Sequence, residues 1–119
     1  MSHSPQDVHK KVLGKKGERL VVAYLKKQGL RILETNFRTP FGEADIIAQD
    51  QDEVAFIEVK TRSSDKYGTP REAVVETKQN RYKQIAKFYW LQTGEEPNAR
   101  FDVAEVDADG TIEDIKYAV

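Results

Sequence analysis

Two short apolar runs, Ile46-Ile47-Ala48 and Val54-Ala55-Phe56-Ile57, stand on either side of the polar tripeptide Asp50-Gln51-Asp52. Side chains along a strand alternate between faces. Consecutive apolar residues therefore put apolar groups on both faces, and such strands belong in the middle of a covered sheet. The short polar connection sets the two antiparallel, as a hairpin of Glu43–Ala48 with Glu53–Lys60. The rest of the chain has to cover both faces.

Two amphipathic stretches are suited to that. Leu13, Leu20, Val21, Tyr24 and Leu25 recur at helical spacing within Lys10–Gln28, with Lys15, Lys16, Arg19 and Lys26 on the other side. Gly29 is placed to stop this helix. A second helix is expected over Arg71–Gln92, with Val75, Lys78, Tyr82, Ile85, Ala86 and Tyr89 on one stripe and Gly94 at its end. Thr77 suits an N-cap if that helix breaks near Glu76. Leu30–Phe37, Arg100–Val106 and Thr111–Val119 read as strands, the last at an edge. A turn at Thr39-Pro40-Phe41-Gly42, a polar loop over Thr61–Thr69 and the hairpin signal Asp109-Gly110 separate the elements. The order is αβββαββ: an α/β domain of five strands and two helices. Residues 1–9 read as a loose N-terminus, and 119 residues suit one domain.

The hydrophobic fraction is 39% and the charged fraction 33%, with no cysteine. That excludes a disulfide framework and a thiolate metal site. No apolar run approaches the roughly 20 residues of a membrane helix, and Met1–Lys11 lacks a secretory signal's apolar stretch. Cytoplasmic residence, away from the membrane, is the simplest expectation. The net charge of -1 hides a pattern. Residues 1–38 hold nine Lys or Arg against three acids, and 39–58 hold six acids and no base. Residues 59–93 hold eight bases against three acids, and 94–119 two against eight. A basic rim around an acidic centre suits a polyanion held over bound metal ions. Solvated helix faces account for the same pattern.

Charged residues inside the apolar strands carry the chemical signal. Glu43 and Asp45 are two apart and share a face, as do Glu58 and Lys60. Burying an unpaired carboxylate is costly, so buried acids pair, hydrogen-bond or bind metal. Asp45 and Glu58 on adjacent strands can stand side by side, where mutual repulsion raises one pKa unless a cation lies between them. Oxygen ligands of this kind suit Mg²⁺ or Mn²⁺ rather than zinc. Lys60, one pleat from Glu58, is placed to stabilise charge on a phosphate or orient a water. Glu18 shares a helix stripe with Val21, Val22 and Leu25 and so borders the buried face. Ordinary readings stand beside these: a Glu58–Lys60 ion pair, a solvated Asp45, and Glu18 paired with Lys15 or Arg19 at the helix surface.

The ordered set Glu18, Gly42-Glu43-Ala44-Asp45 and Glu58-Val59-Lys60 resembles the D-x(n)-E-x-K signature of restriction-endonuclease-like nucleases. More narrowly, the chain resembles the YraN family of small bacterial proteins, related to archaeal Holliday-junction resolvases. Matching stretches are Gly14–Glu18 with Ala23 and Leu25, Asn36-Phe37-Arg38, Gly42–Asp45, Phe56–Arg62, Lys78 with Arg81, and Arg100–Val103. The resemblance implies a mixed sheet between helices, Asp45 and Glu58 as metal ligands, Lys60 as the signature lysine and Glu18 as the helix acid completing the site. Ala44 stands where the signature has proline. Glu43 has no assigned role.

Around this set, Lys78, Arg81 and Arg62 are candidates for phosphate-backbone contacts, although Lys78 lies in an apolar stripe and equally suits a stem covering the sheet. Ser63, Ser64 and Lys66 continue the loop after Lys60. Tyr82, Phe88, Tyr89 and Trp90 offer aromatic faces for stacking on bases; Tyr82 and Tyr89 better suit the core, Trp90 lies off the stripe and is the better candidate for a binding surface, and Arg100 with Asp102 suits a structural ion pair. The leading expectation is a Mg²⁺- or Mn²⁺-dependent endonuclease acting on DNA, branched DNA included. A homodimer would be expected for symmetric cutting. The alternatives are a nucleic-acid-binding module without catalysis, and an adaptor with an apolar patch around Trp90 and Leu91.

Overall fold

The computed structural model describes residues 5–62 and 75–118, with side chains in 15–62 and 77–118. Helices α1 (Pro5–Lys27) and α2 (Val75–Thr93) and strands β1 (Arg31–Thr39), β2 (Gly42–Asp50), β3 (Glu53–Thr61), β4 (Ala99–Val106) and β5 (Ile112–Ile115) follow the expected order αβββαββ. The strands form one sheet, β1-β2-β3-β4-β5. β1, β2 and β3 make an antiparallel meander, β3 and β4 run parallel, and β5 returns antiparallel to β4. A parallel pair needs a crossover, and α2 lies within it.

Alternation along β3 divides the core in two. Ala55 and Ile57 face α1, packing with Val21, Leu25, Ile46, Ala48, Ala104 and Val106. Val54 and Phe56 face α2, packing with Tyr82, Ile85, Ala86, Ala44 and Ile47. The consecutive apolar residues of β2 and β3 are thus explained by cover on both faces. Each fully buried large aliphatic side chain stabilises the fold by roughly 1.5–3 kcal/mol. Tyr89 closes the α2 layer edge-on to Phe37 and Phe56, with ring centroids 5.5 and 5.7 Å apart. Tyr82 and Tyr89 are core residues, as their spacing suggests.

Beyond shifts of one or two residues at element ends, three expectations about the elements differ. α1 begins at Pro5, so Pro5–His9 are helical rather than loose. Proline suits a first helical turn, where its missing N–H has no partner to lose. α2 runs unbroken from Val75, which puts Thr77 inside the helix rather than at a cap. β5 stops at Ile115, shorter than the expected Thr111–Val119. Tyr117 takes a left-handed φ of 54° there, turning the chain off the edge. Arg71–Val74, Ser63, Ser64 and Lys66 lie outside the described residues, as do the side chains of Leu13 and Val75. No described helix is long and apolar enough to cross a membrane.

The end of the sheet at the β2–β3 turn is closed by a charge network. Arg100 is 4% exposed. Its Nη1 donates to Asp50 Oδ2 at 2.8 Å and Glu53 Oε1 at 3.1 Å, and its Nε to Asp102 Oδ2 at 3.1 Å. Tyr117 donates its N–H to Asp102 Oδ1 at 3.1 Å and its hydroxyl to Glu53 Oε1 at 2.6 Å. Its ring lies 5.6 Å from the Arg100 guanidinium. Arg100 and Asp102 do form the structural ion pair expected of them, within a larger set that distant positions complete.

Candidate functional site

At the other end of the sheet β2 and β3 part. Their pairing runs from Asp50↔Glu53 to Ile46↔Ile57 and stops. One step further, the same register would set Asp45 against Glu58. Instead Asp45 Oδ2 accepts the Val59 backbone N–H at 2.8 Å, taking the place of a ladder carbonyl. Alternation along β2 breaks at this point. Ala44 packs in the α2 layer and Ile46 in the α1 layer, although they are two residues apart. Asn36 on the neighbouring strand has a left-handed φ of 53°, a conformation asparagine tolerates better than most residues. The irregular backbone leaves Asp45 at the sheet's open end.

Three acids surround Asp45. Its carboxyl is raised to about 6: burial is the largest cause, the Val59 N–H opposes it, and Glu18, Glu43 and Glu58 each add to the rise. Glu18 arrives from α1 because Gly17 lets the helix approach closely. A Cβ at Gly17 would collide with the Thr61 Cγ2 methyl. Burial also raises Glu18, while Asn36 and Lys15 pull it back and Glu43 adds to the rise. With its amide nitrogen turned toward the acids, Asn36 stands 3.1 Å from Glu18 Oε1 and 3.1 Å from Glu43 Oε1. One uncharged donor thus links two carboxylates, and among the described residues the one ion-pair partner of Glu18, Glu43 and Asp45 is Arg38, 3.9 Å from Glu43.

Glu58 and Lys60 lie on the α2 side. Lys78 Nζ and Tyr82 Oη each stand 3.2 Å from Glu58 Oε2, from positions one helical turn apart. Tyr82 is pushed well above its usual range by burial and by the facing carboxylates of Glu58 and Asp45. It therefore stays a hydroxyl donor. Burial lowers the Lys60 ammonium and the adjacent Lys78 lowers it further, while Glu58 and Glu105 oppose the change. Glu105, 6% exposed, sits opposite Lys60 in the register and is held by Arg62 Nη2 at 2.9 Å.

The donor chemistry fits Mg²⁺ or Mn²⁺: oxygen ligands at a half-buried place with an excess of negative charge. Among the described residues, no three Asp, Glu or His side chains stand close enough together to hold an ion. Glu58 is turned to Lys78 and Tyr82 on one side of the sheet, and Glu18 to Asn36 on the other. The fit is one of donor type and charge, not of a closed ligand shell.

Of the residues singled out from the sequence, Glu18 and Glu58, with Glu43, carry charge close enough to act on Asp45 at the splayed end of β2 and β3, while Lys60 stands beside Glu58 and Lys78. Of the three expected phosphate contacts, Lys78 is turned inward onto Glu58 and Arg62 is engaged by Glu105. Arg81 is exposed, its stem lying across Gly42. Asn36, Tyr82 and Glu105 were missed as site residues. Glu105 carries the signal that marked Asp45, an acid between apolar strand neighbours; Tyr82 carries only its spacing of four from Lys78.

The fold and site together define a three-layer α/β domain with an acid-lined opening at one end of a mixed sheet. Residues 17–106 match the model of the uncharacterised protein family UPF0102. The chain is 49% identical over 106 residues to a UPF0102 protein of Thermodesulfovibrio yellowstonii, covering 89% of this chain and 94% of that one. It is 55% identical over 95 residues to one of Syntrophus aciditrophicus, covering 78% and 74%. A third, from Dictyoglomus thermophilum, is 42% identical over 116 residues, covering 94% and 98%. The chain belongs to the UPF0102 family, the YraN family of the resemblance above.

Proposed function

We propose that this protein is a restriction-endonuclease-like nuclease that hydrolyses DNA phosphodiester bonds with Mg²⁺ or Mn²⁺. One observation carries the reading. Asp45 is half-buried, has no ion-pair partner among the described residues, and is pressed by Glu18, Glu43 and Glu58, the last of which has Lys60 beside it. Asp45 and Glu58 would hold the ion, with Glu18 the third acid. A bound divalent ion supplies an activated water and polarises the phosphate.

The chain's own residues do the rest. The Val59 N–H fixes one Asp45 oxygen and leaves the other available. Tyr82 and Lys78 orient Glu58. Lys60, on the face of Glu58, stabilises negative charge gathering on the phosphate. Arg81 gives sequence-independent backbone contact, and Arg62 does so where it is released from Glu105. Cutting both strands of a branched junction symmetrically would require a homodimer.

The test is a cleavage assay on linear, single-stranded and branched DNA with Mg²⁺ and with Mn²⁺, using wild type, Asp45→Asn and Glu58→Gln. Metal-dependent cleavage by wild type alone is expected. Cleavage that survives both substitutions removes the site assignment. Metal-independent DNA binding with no cleavage under any condition would make the protein a binding module instead.

A further inference from the structure

The turn between β1 and β2 holds an aromatic side chain out in solvent. Phe41 is 49% exposed. The turn beneath it is tied down: Thr39 Oγ1 donates to Gly42 O at 2.8 Å and accepts the Phe41 N–H at 3.0 Å. Gly42 takes a φ of 141°, open to glycine and not to other residues, and a Cβ there would sit 2.9 Å from Arg81 Cδ. The Arg81 stem therefore braces the turn, and its guanidinium forms no ion pair among the described residues. On the other strand Arg38 has an 85% exposed side chain and only a 3.9 Å approach to Glu43. Phe41 is four residues before Asp45 on the same chain segment, roughly 13 Å at strand rise.

An exposed ring on a braced turn, with Arg38 on the strand before it and the Arg81 stem against Gly42 after it, matches a nucleobase flanked by phosphates. Aromatic faces stack on any base, and cations track the backbone. A protein-docking surface would favour a wider apolar patch without this charge. We propose that the hairpin tip binds an unpaired nucleotide beside the hydrolytic site, Phe41 stacking on its base and Arg38 and Arg81 contacting the adjoining phosphates. This rests on the nucleic-acid reading above and gives its site a preference for unpaired strands.

The test is binding of a labelled single-stranded oligonucleotide and of the duplex of the same sequence, by fluorescence anisotropy without divalent cation. Phe41→Ala should weaken single-strand binding about tenfold and leave duplex binding nearly unchanged. Because the ring is exposed, the variant should keep the wild-type melting temperature. In a Trp90→Phe background, Phe41→Trp should retain single-strand affinity, and the introduced indole should be quenched as bases stack. Unchanged single-strand affinity, equal loss on both ligands, or an unquenched indole would overturn the proposal. So would a wild-type dimer that Phe41→Ala dissociates while DNA affinity is unchanged. Phe41-dependent binding by a protein that cleaves nothing would retain the stacking contact and remove the hydrolytic reading. Normal cleavage with Phe41-independent binding would do the reverse.

Discussion

At the β2–β3 turn, Asp50, Glu53 and Asp102 gather around Arg100, and Tyr117 supplies two further hydrogen bonds. At the opposite end of the same strands, Glu18, Glu43 and Glu58 gather around Asp45, and the residue linking two of them is the neutral Asn36. Similar acids on neighbouring strands thus meet opposite fates. The three acids facing Arg100 outweigh its burial and raise its pKa, fixing it as a cation. Asp45 is instead raised to about 6. One end locks the sheet to the C-terminal segment; the other holds negative charge that a cation would relieve. Acid clusters become informative about function only when the positive side of the account is drawn up with them.

Breaking the closed end should have the largest effect. Arg100→Met leaves Asp102, wholly buried, without its cation. Removing one partner of a buried pair costs about 3–5 kcal/mol, to be read from urea denaturation. An unchanged midpoint would mean that the network is not a lock. Gly17→Ala should cost about 1–3 kcal/mol through overpacking against Thr61, despite the better helix propensity of alanine. It should also move Glu18 away from Asp45, so Asp45 should titrate lower in this variant by NMR.

Asp45→Asn should act with the opposite sign. The folded state holds the Asp45 proton more tightly than the unfolded chain, so stability falls as pH rises from the unfolded value of 3.8 to about 6 and stays reduced above. The amide still accepts the Val59 N–H and carries no charge. Discounted for solvent screening of a half-buried group, the variant should be more stable by roughly 1–2 kcal/mol at pH 7 in metal-free buffer. The gain should vanish below about pH 4, where both proteins are neutral at this position. A melting series across pH checks this, and a gain independent of pH would contradict the electrostatic account. Tyr82→Phe should have a smaller effect, about 1 kcal/mol for one hydrogen bond, without disturbing the packing of the ring.

Much of the fold was legible because β2 and β3 carry adjacent apolar residues, and only a sheet covered on both faces buries them. The β2–β3 hairpin and the order of elements along the chain followed from that and from the turn residues; the parallel pairing of β3 with β4 did not. The start of α1 was not legible, since Pro5–His9 carry no apolar stripe. The site was legible where charge interrupted an apolar strand, at Asp45 and at Glu58 with Lys60. What escaped depends on contacts across elements. Nothing near Asn36 in the chain signals that it links Glu18 to Glu43, and the apolar stripe that set Lys78 against the sheet does not name Glu58 as its partner. Likewise Arg100 was readable as a partner of Asp102, two residues away. Its contacts with Asp50 and Glu53 required the tertiary fold.

Titration calorimetry of Mn²⁺ into the wild-type protein and Asp45→Asn near pH 6 tests the contrast between the two ends most directly. The account predicts saturable binding to wild type with proton release, seen by comparing two buffers, and no binding to Asp45→Asn. Equal Mn²⁺ binding by the two proteins would contradict it.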